Sequence, residues 1–335
     1  MGKPTINDVA RLAGVSKKTV SRVINASPLL NPATREKVEK VIAELGYVPN
    51  PQARALALRR NFLIALVHDG SDPQLALTAQ TGMLAALAGS GYALAIAPVG
   101  NDPQRAPGEL RAFIEQHRPA GVLLLPPVSE HAALAAVCRE LDCHHVCFGA
   151  TALDDPAHLV ASQDRAATAQ AVGYLVALGH QRIGFVSGPE DSATAQQREL
   201  GYLDAMADHD LDRGPALIAS GDLSFESGLS AGRLLLQVSP RPTAIFAACD
   251  AMAAGVLHAA RERGIAVPDD LSVVGFGDSP LAAQLWPPLT TVRVPVADMA
   301  GIAARKLAVP EAAASLPAQF HAELVARGSA APAQG

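Results

Sequence analysis

Apolar residues recur at Ile6, Val9, Ala10 and Ala13, then at Val20, Val23 and Ile24, one stripe on each of two short helices. Gly14 and Val15 between them predict a tight turn, and Ser16 caps the second helix. Thr5 is placed to cap the first, with Asp8 three residues on to complete a capping box. A third stripe, Val38, Val41, Ile42 and Leu45, opens on Asn31 as cap and Pro32 in the first turn, and Gly46 ends it. These three helices can close a small core of their own. Asn50 and Pro51 then announce a helix of only about two turns, marginal in isolation and expected to order only against a partner.

From Phe62 onward the pattern changes to short apolar runs separated by amphipathic, alanine-rich stretches. Strands are predicted at Phe62–Val67, Ala93–Pro98, Gly121–Leu125, Val146–Phe148, Arg182–Ser187, Ala216–Ser220, Thr243–Ala248 and Leu271–Phe276. Repeated βα units imply an α/β fold of doubly wound parallel sheets with helices on both faces. There are too many strands for one compact sheet, so two similar subdomains form the better count. A ligand of such a body belongs off the carboxyl ends of the strands, in the cleft between the lobes.

Charge sharpens this division. The chain carries a net −5, yet residues 1–60 hold eleven Lys and Arg against four Asp and Glu, a net +7. The remainder is correspondingly acidic. A basic module on an acidic body marks a nucleic-acid arm attached to a domain with another task. The exposed face of the second helix carries Lys17, Lys18, Thr19, Ser21 and Arg22, cations and hydroxyls that suit phosphates and guanine edges. The plainer reading of that face is a solvated helical hairpin.

No charge-free run approaches the ~18 apolar residues of a membrane span, and the first apolar stretch is too interrupted for a signal sequence. Four cysteines without framework spacing fit a reducing cytoplasm. Cys143-His144-His145 with Cys147 and nearby Cys138 invites a metal reading, but His145 and Cys147 fall in a short buried strand, where structural zinc is uncommon, and no metal or cofactor is expected. Nucleophile-elbow, phosphate-loop, zinc-protease and dinucleotide motifs are absent, which argues against an enzyme.

The blocks Asp8-Val-Ala, Ala13-Gly-Val-Ser16, Thr19-Val-Ser-Arg22-Val-Ile-Asn25, Thr34-Arg35, Leu45-Gly-Tyr47 and Asn50-Pro together resemble the lactose-repressor (LacI) family of bacterial transcription regulators. Leu178-Gly-His180, Arg182-Ile-Gly-Phe185, Arg198 with Gly201, Val274-Gly-Phe276 and Pro288-Leu-Thr-Thr291-Val292 extend the resemblance over essentially the whole chain. It implies a homodimer on a near-palindromic double-stranded operator. Lys17, Lys18 and Arg22 fall where the family reads bases. Ser16, Thr19, Ser21, Asn25, Tyr47 and Asn50 fall mostly where it holds phosphates, and Thr5 and Asn31, the caps of their helices, are further candidate DNA-binding residues. Leu56, with Ala53 beside it, falls where a hinge-helix leucine wedges open a base step in the minor groove. The implied domains are a helix-turn-helix module (1–47), a hinge helix (48–60), one subdomain from 61–161 and 292–316, a second from 162–291 and 317–329, and a disordered tail (330–335). The body is then a bilobed domain of the periplasmic-binding-protein type with a small-molecule, carbohydrate-type effector. No leucine heptad closes the chain, which favours a dimer over a tetramer.

The effector positions depart from the family. Arg198, whose counterpart grips ligand hydroxyls, is present. Leu223 stands where an aromatic stacks on the sugar, Cys249 where Asn precedes Asp250, and Gly277 where an Asp follows Gly-Phe. Either Asp278 takes over from the missing carboxylate while Phe225 supplies the ring, or the ligand is not a standard monosaccharide, or strong induction is lost. Asp69 is a further candidate contact, equally readable as a turn residue. Asp250 reads first as a helix cap. A repressor is the leading expectation. The alternatives are a binding protein with a vestigial DNA module and a sugar enzyme with a DNA-binding appendage.

Overall fold

The computed structural model describes residues 4–24, 30–47, 61–149 and 156–334. It divides into a unit ending at Phe62 and a unit running from Leu63 to the C-terminus. Asn25, the 48–60 hinge segment and, within it, Asn50, Ala53 and Leu56 lie outside the described residues.

The first unit contains α1 (Ile6–Ala13), α2 (Lys17–Ile24) and α3 (Pro32–Leu45). Its core is formed by the predicted stripes: Val9, Ala13, Val20 and Val38 have no exposed surface, and Ile6, Ile24, Val41, Ile42 and Leu45 pack around them. Gly14 and Gly46 end α1 and α3 at φ 63° and 59°, a left-handed conformation that only glycine adopts without penalty. Asn31 accepts a hydrogen bond from Ala33 N at 2.9 Å and starts α3 with Pro32 behind it.

The second unit holds two six-stranded sheets. β1 (Leu63–His68), β2 (Ala93–Pro98), β3 (Gly121–Leu124), β4 (His144–Phe148) and β5 (Leu159–Ser162) form one, with the short β11 (Gln319–Phe320) at its edge, in the order β11-β5-β4-β3-β1-β2. β6 (Ile183–Ser187), β7 (Ile218–Ser220), β8 (Ala244–Ala247), β9 (Ser272–Gly277), β10 (Thr290–Arg293) and β12 (Glu323–Val325) form the other, in the order β12-β10-β9-β8-β6-β7. All neighbours are parallel except β10 and β12. All eight predicted strands are present within a few residues. The other four, β5, β10, β11 and β12, are only two to four residues long and do not stand out from the pattern.

The helices of the first lobe are α4 (Pro73–Leu87), α5 (Ala106–His117), α6 (Ala132–Glu140) and, from late in the chain, α12 (Val296–Ala308). Alternation along β1 divides them. Ile64 and Leu66 face Met83 of α4 and Met299 of α12, whereas Ala65 and Val67 face Leu110 of α5 and Leu134 of α6. Both faces being buried accounts for the unbroken apolar run at this strand. The second lobe carries α7 (Asp164–Ala177), α8 (Ala193–Asp208), α9 (Phe225–Leu235), α10 (Asp250–Glu262) and the short α11 (Pro280–Gln284). Phe185 stacks on Tyr202 of α8 with ring centroids 4.8 Å apart, and on Phe246 of β8 at 5.8 Å. The α9–α10 contact is very close: a Cβ at Gly255 would stand 2.3 Å from Leu229 N and 2.4 Å from Phe225 O.

The chain crosses between lobes after β5, after β10 and after β11. The last two crossings lie beyond the expected 291/292 and 316/317, because Arg293 still pairs in the second sheet and Gln319 and Phe320 pair with β5 in the first. The tail also differs from expectation. Its Ala- and Pro-rich composition suggests disorder, yet Ala331 N donates to Ser272 Oγ at 3.0 Å and Ala333 N donates to Leu178 O at 2.8 Å. Backbone groups anchor this extended strap, so its side-chain composition carries no signal of order. No helix among the described residues is long and apolar enough to cross a membrane.

Candidate functional site

The helix-turn-helix face is built from the ends of its helices. The Asp8 carboxylate accepts from Thr5 N at 3.0 Å and from the Thr5 hydroxyl at 2.7 Å, closing the capping box from its acidic side. These bonds to Thr5 hold the Asp8 carboxyl below its ordinary value, with Arg11 adding to the effect. Thr19 N donates to Ser16 Oγ at 3.1 Å, so Ser16 caps α2 as expected. Lys17, Lys18 and Arg22 are exposed, while Val20 and Val23 of the same helix are buried. The helix therefore turns one face to its own core and offers the opposite one to a polyanion. Ser16 and Asn31 are exposed, and Thr19, Ser21 and Tyr47 half-buried, around it.

In the second unit the carboxyl ends of the strands meet between the lobes. Arg198, on α8, is fixed on three sides. Its Nε donates to Asp164 Oδ2 at 2.8 Å, its Nη1 donates to Ala248 O at 2.8 Å, and its guanidinium lies 4.0 Å from the centroid of the Phe276 ring. Asp164 is almost fully buried and also accepts from the Ser162 hydroxyl. Two of the five N–H donors are thus committed to orienting the guanidinium by Asp164 and Ala248. Asp164 was not among the expected site residues. It opens α7 directly after β5, a strand that the apolar pattern does not mark.

The altered positions have specific places. Leu223 is 39% exposed and holds φ 70°, and its carbonyl accepts the Cys249 thiol at 3.4 Å. Phe225 is 36% exposed and meets His258 edge-on at 5.8 Å. Cys249, not Asp250, caps α10, its sulfur accepting from Met252 N at 3.4 Å. Burial pushes its thiol up to about 11, so it is a neutral S–H.

Asp250 instead sits one residue inside the helix, where it accepts from Ser279 N at 2.7 Å and from the Thr291 hydroxyl. Burial raises its carboxyl despite these bonds. Asp278 is clamped by two cations: Arg293 Nε donates to Oδ2 at 2.6 Å and Arg327 Nη2 to Oδ1 at 2.5 Å. Burial alone would raise the Asp278 carboxyl, but the two guanidiniums outweigh it and hold it below the ordinary range. Asp69 accepts from Ser71 N at 2.9 Å and Ser71 Oγ at 2.7 Å, the pattern of an Asx turn. Among the described residues no group of His, Cys, Asp and Glu could hold a metal ion, and Cys138, Cys143 and Cys147 are buried.

Comparison with known proteins decides the family. Residues 5–50 match the family of bacterial regulatory proteins described as lacI family, and residues 172–330 match the periplasmic binding protein-like domain. The HTH-type transcriptional regulator CelR of Thermobifida fusca is 36% identical over 315 residues, covering 91% of both chains. This chain belongs to the lacI family. The ribose operon repressor of Escherichia coli K12 is 33% identical over 89% of this chain and 90% of the relative. Among solved structures, a CelR–cellobiose complex matches 97% of the chain and 99% of its own length with a TM-score of 0.71 at 30% identity. A lac repressor dimer bound to operator and the anti-inducer ONPF matches 98% and 100% with a TM-score of 0.78 at 27% identity. As a member of the lacI family, the protein is a DNA-binding transcriptional regulator and not an enzyme.

Proposed function

We propose that this lacI-family protein is a cytoplasmic, homodimeric repressor whose affinity for a near-palindromic operator is set by a neutral, carbohydrate-type effector held between the lobes. Base reading falls to Lys17, Lys18 and Arg22 and phosphate contacts to Thr5, Ser16, Thr19, Ser21, Asn25, Asn31, Tyr47 and Asn50, with Ala53 and Leu56 in the minor groove. The observation that carries the effector class is the pairing of charge around Arg198. Asp164 neutralises Arg198, while Asp278 and Glu323 answer Arg293 and Arg327. Each of the three guanidiniums is paired with a carboxylate, and Asp250 has no cationic partner among the described residues, so none of these cations awaits an anionic ligand. The free donors of Arg198, beside the Phe276 ring, suit the hydroxyls and the apolar face of a neutral polyol, whereas the Phe225 ring packs on His258 of α10 and is not placed against Arg198.

A second copy of the chain fits the apolar surface of the first lobe. β2 is an edge strand with Ile96 42% exposed, and Leu77 and Leu84 of α4 are 57% and 49% exposed seven residues apart on one helix face. Operator binding by fluorescence anisotropy at fixed salt, with promoter DNA and a panel including cellobiose, ribose and a hexuronate, tests the reading. Release by a neutral sugar supports it. Release only by the anionic hexuronate refutes the charge argument. Leu223 in place of an aromatic favours a second reading, an effector that is not a sugar, and tight DNA binding untouched by any sugar is its signature.

A further inference from the structure

Where the two lobes face one another, a cluster of hydrogen bonds from lobe to lobe converges on one carboxylate. Glu130 ends a short 3-10 turn, Val128–Glu130, that follows β3 in the first lobe. Its Oε2 accepts from Ala193 N at 3.0 Å, and its Oε1 accepts from Thr194 N at 3.0 Å and from Thr194 Oγ1 at 2.6 Å. Ser192 Oγ stands 3.4 Å from the same Oε1. All these donors belong to the start of α8 in the second lobe.

We infer that Glu130 is a positioning residue, an interlobe latch that holds the lobes closed by capping the helix that carries Arg198. The first N–H groups of a helix have no partner within it. In α8, Ala195 N is met by the Ser192 hydroxyl at 3.2 Å, and Gln196 N by Ser192 O. The N–H groups of Ala193 and Thr194 are met by the opposite lobe. Opening the lobes therefore exposes a carboxylate and a helix N-terminus together, with the charge–dipole attraction between them lost to water. Arg198 lies on the same helix little more than one turn on, so the latch fixes at once the lobe separation and the direction from which Arg198 meets a ligand. A protein whose competent state is only partly populated binds its ligand more weakly in proportion. The closed state held by Glu130 thus sets the resting point from which any effector works. The role of Arg198 toward a ligand and this last consequence rest on the effector reading proposed above; the latch itself does not.

The test uses the full chain without ligand. Glu130→Gln keeps the size and removes the charge, and Thr194→Val removes the hydroxyl donor from the other lobe. Hydrogen exchange at the Ala193 and Thr194 amides is expected to quicken about tenfold in Glu130→Gln, the loss typical of a bond to an ionised partner. Small-angle scattering is expected to show a longer interlobe distance. Thr194→Val should move both readouts the same way by a smaller amount, with exchange across α10 unchanged in both variants. Faster exchange with a scattering profile identical to wild type would reduce Glu130 to a helix cap and overturn the latch. So would unchanged exchange, or a rise spread evenly over the second lobe. Cellobiose or ribose binding, measured separately, bears on the effector reading and leaves this outcome intact.

Discussion

Asp278→Asn separates a ligand contact from a structural clamp. The carboxylate is 8% exposed and bonded to Arg327, whose side chain is 19% exposed, and to Arg293, which is 47% exposed and also reaches Glu323 at 3.1 Å. The exposed limb contributes at most about 1 kcal/mol. Removing one partner of a buried pair costs about 3–5 kcal/mol, because the remaining charge is stranded. Asparagine keeps one acceptor oxygen, and Arg327 retains its bond to Leu289 O at 2.8 Å. The expected net loss is therefore roughly 2–4 kcal/mol, or a fall of about 5–10 °C in Tm for a body of this size. The folded-state carboxyl lies below its ordinary value, so its contribution is complete above about pH 4 and disappears as pH falls through the folded value. Thermal melts of both proteins should thus differ by a constant amount from about pH 5 to 8 and converge in acid. An unchanged Tm at neutral pH, together with lost effector binding, would refute the clamp and restore Asp278 as a ligand contact.

Arg22→Ala should lose about 1–3 kcal/mol of discrimination between operator and random DNA, and equal losses on both would make Arg22 a phosphate contact only. Gly255→Ala should destabilise the second lobe by about 1–3 kcal/mol in urea unfolding, since the added methyl meets backbone atoms of α9 that cannot swing away. Burial holds the His180 imidazole below its ordinary value, partly countered by Ala331 O, so the stability it confers is full above about pH 6.5 and declines as pH falls toward the folded value. His180→Gln should flatten that limb of the Tm profile, and an unaltered slope would assign the acid sensitivity elsewhere. Ile96→Glu should convert dimer to monomer in sedimentation velocity, and a dimer unchanged by the substitution would refute this face as the interface.

The caps, turns and core of the three described N-terminal helices were legible in the sequence because their signals are local. Caps, glycines and a 3.6-residue stripe act within one or two turns, and Thr5, Ser16, Asn31, Gly14 and Gly46 all do what their chemistry implies. The body was legible as architecture for the same reason: a buried parallel strand such as β1 is apolar on both faces. Its site was less so. Asp164 orients Arg198 from 34 residues away, and Glu130 reaches α8 across more than 60. Such partners have no periodicity, and only the meeting of two sheets brings them together. The C-terminal strap failed for a further reason, since backbone groups and not side chains hold it to His180 and Ser272.

Leu223, Cys249 and Gly277, the positions expected to differ from the family's effector site, also depend on one another in a way that reading them singly conceals. Gly277 holds φ 127°, a conformation that L residues rarely adopt, although a Cβ there would meet nothing closer than Asp250 Oδ2 at 3.5 Å. Backbone conformation and not lack of space thus excludes a carboxylate at this position. The turn it makes carries Asp278 to Arg293 and Arg327 and presents Ser279 N to Asp250. Across the site, Leu223 bears the strain of a left-handed backbone, about 1 kcal/mol or more, with the Cys249 thiol bonded to its carbonyl. An asparagine at 249 would have to replace both that bond and the cap on Met252 N. These positions therefore form one rim: Cys249 holds the Leu223 carbonyl and caps Met252 N, and the turn at Gly277 sets the place of Asp278 and Ser279, so a change at Cys249 or Gly277 is felt by its neighbours.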